Sequence, residues 1–402
     1  KNRVNSLYNS VTKDEKGDRT AVITCGRHLQ NLDGDSGISD GVKYAVQKGD
    51  IDFDSASDNS WSACYPGLDF KPILNEHLKG YESTTVVAEK EYHPVIYDLP
   101  VSAEGDAGLF ESFGGDSLKY IRLAGAEISG SGAVGGIAGR ITSQDAVIEG
   151  CQVFLSLARG HLGGKTEKDI WISGGTAGGL IGEIEAGASV TIKSSFASTV
   201  ISGEDLSGGL VGHNAGDLSI SKSYADSYLY GGQASGGLIG GRTGGSIAIS
   251  ECYTAGFLEA PVTAGICAGE LGGRDSVSIS YSACAPLDET GKLSYSTAAA
   301  ASGSGPKTDR VYYIGTASEA APLEGTEAVS YTDWSGENRG EAVRDKLNTS
   351  FTADNSDTYP YNLIEGMGLS SYSYPKLYGV PHYGDWQAEF ESGSLVYYER
   401  YG

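Results

Sequence analysis

At 402 residues, with 52 Asp plus Glu against 29 Lys plus Arg and a formal net charge of −23, the chain lacks the basic balance by which phosphate backbones and anionic lipid surfaces are held. It carries 59 glycines and only 11 prolines; no three-residue glycine period exists, which excludes collagen, and 25 tyrosines among plentiful Ile, Leu and Val set it apart from disordered chains. Nucleic acid and direct membrane insertion are disfavoured, whereas sugars, proteins with basic patches and divalent cations remain compatible.

No apolar run approaches the roughly 20 residues of a membrane helix. The opening Lys1-Asn-Arg-Val-Asn5 reads as the start of a mature or excised ectodomain rather than a signal peptide. Six cysteines (Cys25, Cys64, Cys151, Cys252, Cys267, Cys284) without a CxxC pair argue against a zinc ribbon or a thioredoxin-type site. Cys25 and Cys64 read either as a disulfide in an exported protein or as free thiols.

Residues 1–104 form a lead-in and N-terminal cap, with one helix expected near Arg27 to Leu32 and several strands. Two acidic turns lie here, Asp33-Gly-Asp35-Ser-Gly-Ile-Ser-Asp40 and Asp50-Ile-Asp52-Phe-Asp54. Asp33, Asp35, Asp50, Asp52 and Asp54 are weak calcium candidates. The first turn lacks the fifth-position acid and closing Glu of an EF-hand, so a solvated turn is the competing reading. No other cofactor is expected.

Residues 105–290 carry the repeat. The pentad Gly-Gly-(Ile/Leu)-x-Gly recurs at Gly135–Gly139, Gly178–Gly182, Gly208–Gly212 and Gly236–Gly240. A second pattern follows each pentad, and recurs after a weaker copy anchored at Gly265: Ile148-Glu-Gly-Cys151, Ile192-Lys-Ser-Ser195, Ile220-Ser-Lys-Ser223, Ile249-Ser-Glu-Cys252 and Ile279-Ser-Tyr-Ser282. In three rows an aromatic and a small residue come next, Phe196-Ala, Tyr224-Ala and Tyr253-Thr. Upstream stretches such as Ser246-Ile-Ala-Ile-Ser250 alternate with the period of a strand. A unit of roughly 28 to 30 residues with short strands and no helical period is one coil of a parallel β-helix, unable to bury its apolar face alone. Anchor glycines are required either because corners need positive φ or because stacked backbones approach too closely for a Cβ. The Cys/Ser column reads as a small-residue interior stack. Between two pentads an insertion runs from Arg159 to Trp171. Such insertions become loops, and His161, Lys165, Lys168 and Trp171 make it a candidate ligand-binding surface, set against a plain surface loop.

These motifs resemble the GLUG-motif repeats of bacterial surface proteins, most closely over Gly208 to Gly232 in GGLVGHNAGDLSISKSYADSYLYGG. The resemblance covers roughly residues 105 to 290, and Ile23 to Leu32, Tyr44 to Phe53, Trp61 and Phe70 to Ile73 look like the family's lead-in. It implies a right-handed β-helix and an extracellular, cell-surface, adhesin-like protein. It carries over no catalytic residue. The whole is thus expected to be all-β, a right-handed parallel β-helix (solenoid) of about six coils with an α+β N-terminal cap and an irregular, Tyr-rich C-terminal cap.

Residues 291–402 hold a linker at Ser294 to Gly305, a short helix candidate at Glu341 to Asn348, and a Tyr-rich cap. In that cap Tyr372, Tyr374, Tyr378 and Trp386 are ligand-binding candidates, since aromatic rings stack on sugars; packing over the last coil is the competing reading. The closing Ser394 to Gly402 reads as a chain that continues in its parent protein.

Parallel β-helices include polysaccharide lyases and hydrolases, whose sites need carboxylates clustered with Lys, Arg or His on adjacent coils. Glu183, His213 and Arg242 follow successive anchors at related offsets and are expected to sit one above another. They are the catalytic candidates, set against a solvated turn edge. No G-x-S-x-G or HExxH motif is present. The expectation is a non-enzymatic surface protein that binds host or neighbouring-cell glycans or proteins, with a polysaccharide lyase or hydrolase as the alternative.

Overall fold

The computed structural model describes residues 10–34, 41–53, 70–87, 89–154, 171–264, 266–267, 277–284, 307–314 and 326–329, together with short strands at 361–364, 374–377, 390–391 and 394–395. The chain is all-β, with strands that pair in parallel with the equivalent segment one circuit later. Among the described residues they curl into one sheet of 26 strands and one of six. The interior is a set of columns. Ala21, Ala45, Tyr81, Leu118, Ile148, Ile192, Ile220, Ile249 and Ile279 are consecutive strand partners, and all are at most 1% exposed. Burying one such side chain contributes about 1.5 to 3 kcal/mol, and adjacent levels lie about 4.8 Å apart, so each level is covered by the next.

Parallel pairing extends into the segment read from sequence as a lead-in. Val42–Gln47 pairs with Arg19–Ile23 on one side and Gly80–Ser83 on the other. The antiparallel strand Ser10–Lys13 lies against Arg19–Ile23 with all four residues exposed. The helix Gly26–Gln30 buries His28 and Leu29. Beyond residue 290 the stacking continues as well, from Val277–Cys284 to Lys307–Ile314 and on to Thr326–Val329. The expected linker at 294–305 and helix at 341–348 lie outside the described residues.

Of the two explanations for the anchor glycines, close approach is the one observed. Gly136, Gly179 and Gly209 are absent from the positive-φ residues. A Cβ on Gly136 would lie 2.6 Å from the carbonyl oxygen of Gly179, and Gly209 meets Gly237 in the same way. Positive φ occurs instead at the third position of the Ile-x-x-(Cys/Ser) rows: Gly150 (64°), Ser194 (51°), Lys222 (48°) and Glu251 (55°), with Tyr120 (56°) one level earlier. This left-handed residue turns the chain between two strands at each level, mostly without glycine. The Cys/Ser residue that follows closes the corner. The Cys151 N–H donates to Ser195 Oγ at 3.1 Å and the Ser195 N–H to Ser223 Oγ at 3.2 Å. Burial pushes the Cys151 and Cys252 thiols up to about 12, so both stay protonated and inert. Cys25 is a free thiol, and Cys64 lies outside the described residues.

Candidate functional site

The six-stranded sheet carries the charged side chains that drew attention in the sequence. Arg140, Glu183 and His213 are consecutive partners in it. The Arg140 Nε donates to Asp106 Oδ2 at 2.7 Å, and its Nη1 lies 2.8 Å from Glu183 Oε2 and 3.4 Å from Glu185 Oε1. The hydrogen bond to Asp106 raises the Arg140 pKa above its ordinary value, so the guanidinium is held firmly charged. His213 Nδ1 is 3.5 Å from Glu183 Oε1, while its Nε2 is 3.1 Å from Thr243 Oγ1.

Arg242 is not in this column. It pairs with Asn214, and Gly241 takes the place opposite His213. The extra glycine in Ile239-Gly-Gly-Arg242 sets it one residue farther along, where it donates to the Gly245 carbonyl. The expected stack of Glu183, His213 and Arg242 is corrected to Arg140, Glu183 and His213. Arg140 was legible, since it follows Gly136 at the same offset as Glu183 follows Gly179. The arrangement offsets part of its own charge, with one guanidinium among three carboxylates. Arg140→Ala should therefore cost about 1 to 2 kcal/mol by leaving those carboxylates facing one another. Urea unfolding at low and at 1 M salt checks this, with the smaller loss expected at high salt.

A second constellation lies on the outer face of the large sheet. In the strand Tyr224–Gly231, Ala225 and Leu229 belong to the interior core, so Tyr224, Asp226, Tyr228 and Tyr230 share the opposite face. Val200 pairs with Tyr228, and Tyr228 with Phe257. Trp171 and Val200 form a buried cluster apart from the interior core, with Tyr228 and Tyr230 packed against it as half-exposed side chains. Phe257 meets both tyrosine rings, at centroid distances of 5.9 and 5.6 Å. Ser202 pairs with Tyr230, and Tyr230 with the exposed Glu259, which gives the rings a polar rim. Alongside runs a stack of Phe196, Tyr224 and Tyr253, with centroids 4.8 and 4.7 Å apart.

Trp171 is the one member of the expected insertion surface that the structure describes, and it is 3% exposed. His161, Lys165, Lys168, Tyr372, Tyr378 and Trp386 lie outside the described residues. Tyr374 opens the strand Tyr374–Leu377, which pairs antiparallel with Tyr361–Ile364. Sequence reasoning missed Tyr228, Tyr230 and Phe257. The signal was the alternation of aromatics in Tyr224-Ala-Asp-Ser-Tyr-Leu-Tyr230, which repeats at Tyr253-Thr-Ala-Gly-Phe257.

In the second acidic turn the Asp50 carboxylate ties the turn to its neighbours. Asp50 Oδ1 accepts the Val95 N–H and the Tyr92 hydroxyl, both at 2.8 Å. Asp52 pairs with Tyr97 in the large sheet, and the Asp33 N–H donates to the Gln30 carbonyl. Asp35 and Asp54 lie outside the described residues. Among the described residues no group of three or more His, Cys, Asp or Glu side chains is arranged to hold a metal ion, and no helix is long and apolar enough to cross a membrane.

No family model matches the chain, and no curated protein matches it. Among solved structures the chain is similar to one from Bacteroides ovatus described as a "putative immunoglobulin A1 protease", at 16% identity and a TM-score of 0.43, over 93% of this chain and 96% of that one.

Proposed function

We propose that this chain is a non-enzymatic, exported cell-surface protein, adhesin-like or a structural stalk, whose outer face binds glycans or proteins of host or neighbouring cells. The observation that carries this reading is the cluster of Trp171, Tyr228, Tyr230 and Phe257 with Val200, which lies outside the interior core on the parallel sheet. Ring faces stack on the apolar faces of sugars and anchor protein interfaces. Tyr228 and Tyr230 keep part of their surface in water. In the same reading the coil is right-handed, as parallel crossovers are, about six coils carry the glycine repeat, and caps at both ends block edge-to-edge pairing.

The test is binding of the purified chain to arrayed glycans and immobilised matrix proteins. Tyr228→Ala combined with Tyr230→Ala is expected to weaken binding at least about tenfold, since hot-spot aromatics are worth 2 kcal/mol or more, with an unchanged far-UV spectrum. No binding to any of these surfaces leaves the stalk role alone. One observation favours the polysaccharide lyase or hydrolase alternative, the approach of Glu183, His213 and Arg140 on adjacent strands. Unsaturated or reducing ends released from uronates or host glycans, and abolished by Glu183→Gln, would establish it instead.

A further inference from the structure

Asp226 stands on the outer face of the strand Tyr224–Gly231, between Tyr224 and Tyr228. It is 0% exposed, and neither carboxyl oxygen has a hydrogen-bond partner. Ser198 follows Ala197 on the neighbouring strand, as Asp226 follows its partner Ala225. The Ser198 side chain is 1% exposed, and its hydroxyl is also without a partner. Two buried polar groups on neighbouring strands are thus left without partners, beside the Phe196–Tyr224–Tyr253 stack and the Tyr228–Phe257 contact. The titratable groups on that face are the phenols of Tyr224, Tyr228 and Tyr230 from its own strand. The strand Tyr253–Glu259 adds Tyr253 and, beside Tyr230, Glu259; Phe196–Ser198 adds none, and Val200–Gly208, which pairs with Tyr228–Gly231, adds the exposed Glu204 and Asp205. None of the four strands contains Lys, Arg or His. A buried carboxylate with neither cation nor donor is costly, and burial pushes the Asp226 carboxyl up to about 7.

We propose that Asp226 is a pH-sensitive latch: as a neutral acid it lets Tyr224 and Tyr228 stay closed over the outer face, and its ionisation opens that face locally. Its role in ligand binding rests on the reading of the aromatic cluster given above. The carboxyl titrates near its ordinary value of 3.8 once hydrated and near 7 when closed over, so the closed state binds more protons. The latch is therefore fully stable below about pH 4, weakens as pH rises to about 7, and changes no further above that. The opening equilibrium should rise about tenfold per pH unit in that window, about a thousandfold in all.

The experiment is hydrogen exchange at the amides of Tyr224 to Tyr228 in the full chain between pH 4.5 and 8.5, corrected for the intrinsic pH dependence of exchange. In parallel, carboxyl carbon NMR follows Asp226 itself. The expected result is protection that falls with pH in the wild type, is flat in Asp226→Asn, and accompanies a carboxyl titrating near 7. Equal protection at pH 5 and 8, or titration in the ordinary carboxylate range, overturns the latch. The NMR titration needs no variant, so a poorly folding Asp226→Asn does not blunt the test. Glycan binding in the same pH series bears on the ligand reading separately, because exchange and titration decide the latch whether or not a ligand is found.

Discussion

Gly209→Ala is expected to cost about 3 kcal/mol or more of stability, although it adds a single methyl group. The new Cβ would run into the Gly237 carbonyl oxygen and the Ala225 Cβ. Neither can move aside. On either side of the anchor, the Gly209 N–H donates to the Gly236 carbonyl at 3.2 Å and the Leu210 N–H to the Leu238 carbonyl at 2.9 Å, fixing the distance between adjacent levels. Overpacking in ordinary cores costs about 1 to 3 kcal/mol with side chains free to adjust, and here the obstacle includes backbone. The matched control is Gly49→Ala, where nothing lies within 4 Å of the added Cβ. That change should stay within about 0.5 kcal/mol, or stabilise slightly by restricting the unfolded chain. Urea unfolding with comparison of midpoint and slope measures both. Equal losses at the two positions would mean that close approach is not what the anchor column requires.

That contrast shows what could be read from residues alone. The Ile148, Ile192, Ile220, Ile249 and Ile279 column was legible because the same residue type recurs in the same local pattern, and those residues are strand partners. The earlier levels were hidden because Ala21, Ala45, Tyr81 and Leu118 share a column but mix three residue types, none of them isoleucine. Interior filling constrains volume and polarity rather than identity. The position of Arg242 was misjudged because one extra glycine shifts its partner from His213 to Asn214, an offset one residue longer from its anchor glycine than those of Glu183 and His213. The left-handed corner was invisible for a related reason. Ser194, Lys222 and Glu251 adopt it without glycine, so the chain gives no compositional signal there.

The aromatic stack on the outer face decides how much of that face is left for the proposed ligand, and Tyr224→Ala measures it. Tyr224 is 1% exposed and nearly parallel to its neighbours, at 5° to Phe196 and 3° to Tyr253. If this layer belongs to the fold as fully as the interior does, the substitution should cost about 3 to 5 kcal/mol, from lost burial and ring contact together. Ile220→Ala in the inner column sets the scale, at about 2 to 5 kcal/mol. Comparable losses in thermal or urea unfolding would mean that the Phe196–Tyr224–Tyr253 strip is sealed in the native state, so that ligand contact falls to the neighbouring edge where Tyr228 and Tyr230 keep surface in water. A loss below about 1 kcal/mol for Tyr224→Ala would place the stack outside the cooperative fold. The binding face would then include it, and Tyr224→Ala would have to weaken ligand binding as Tyr228→Ala and Tyr230→Ala do.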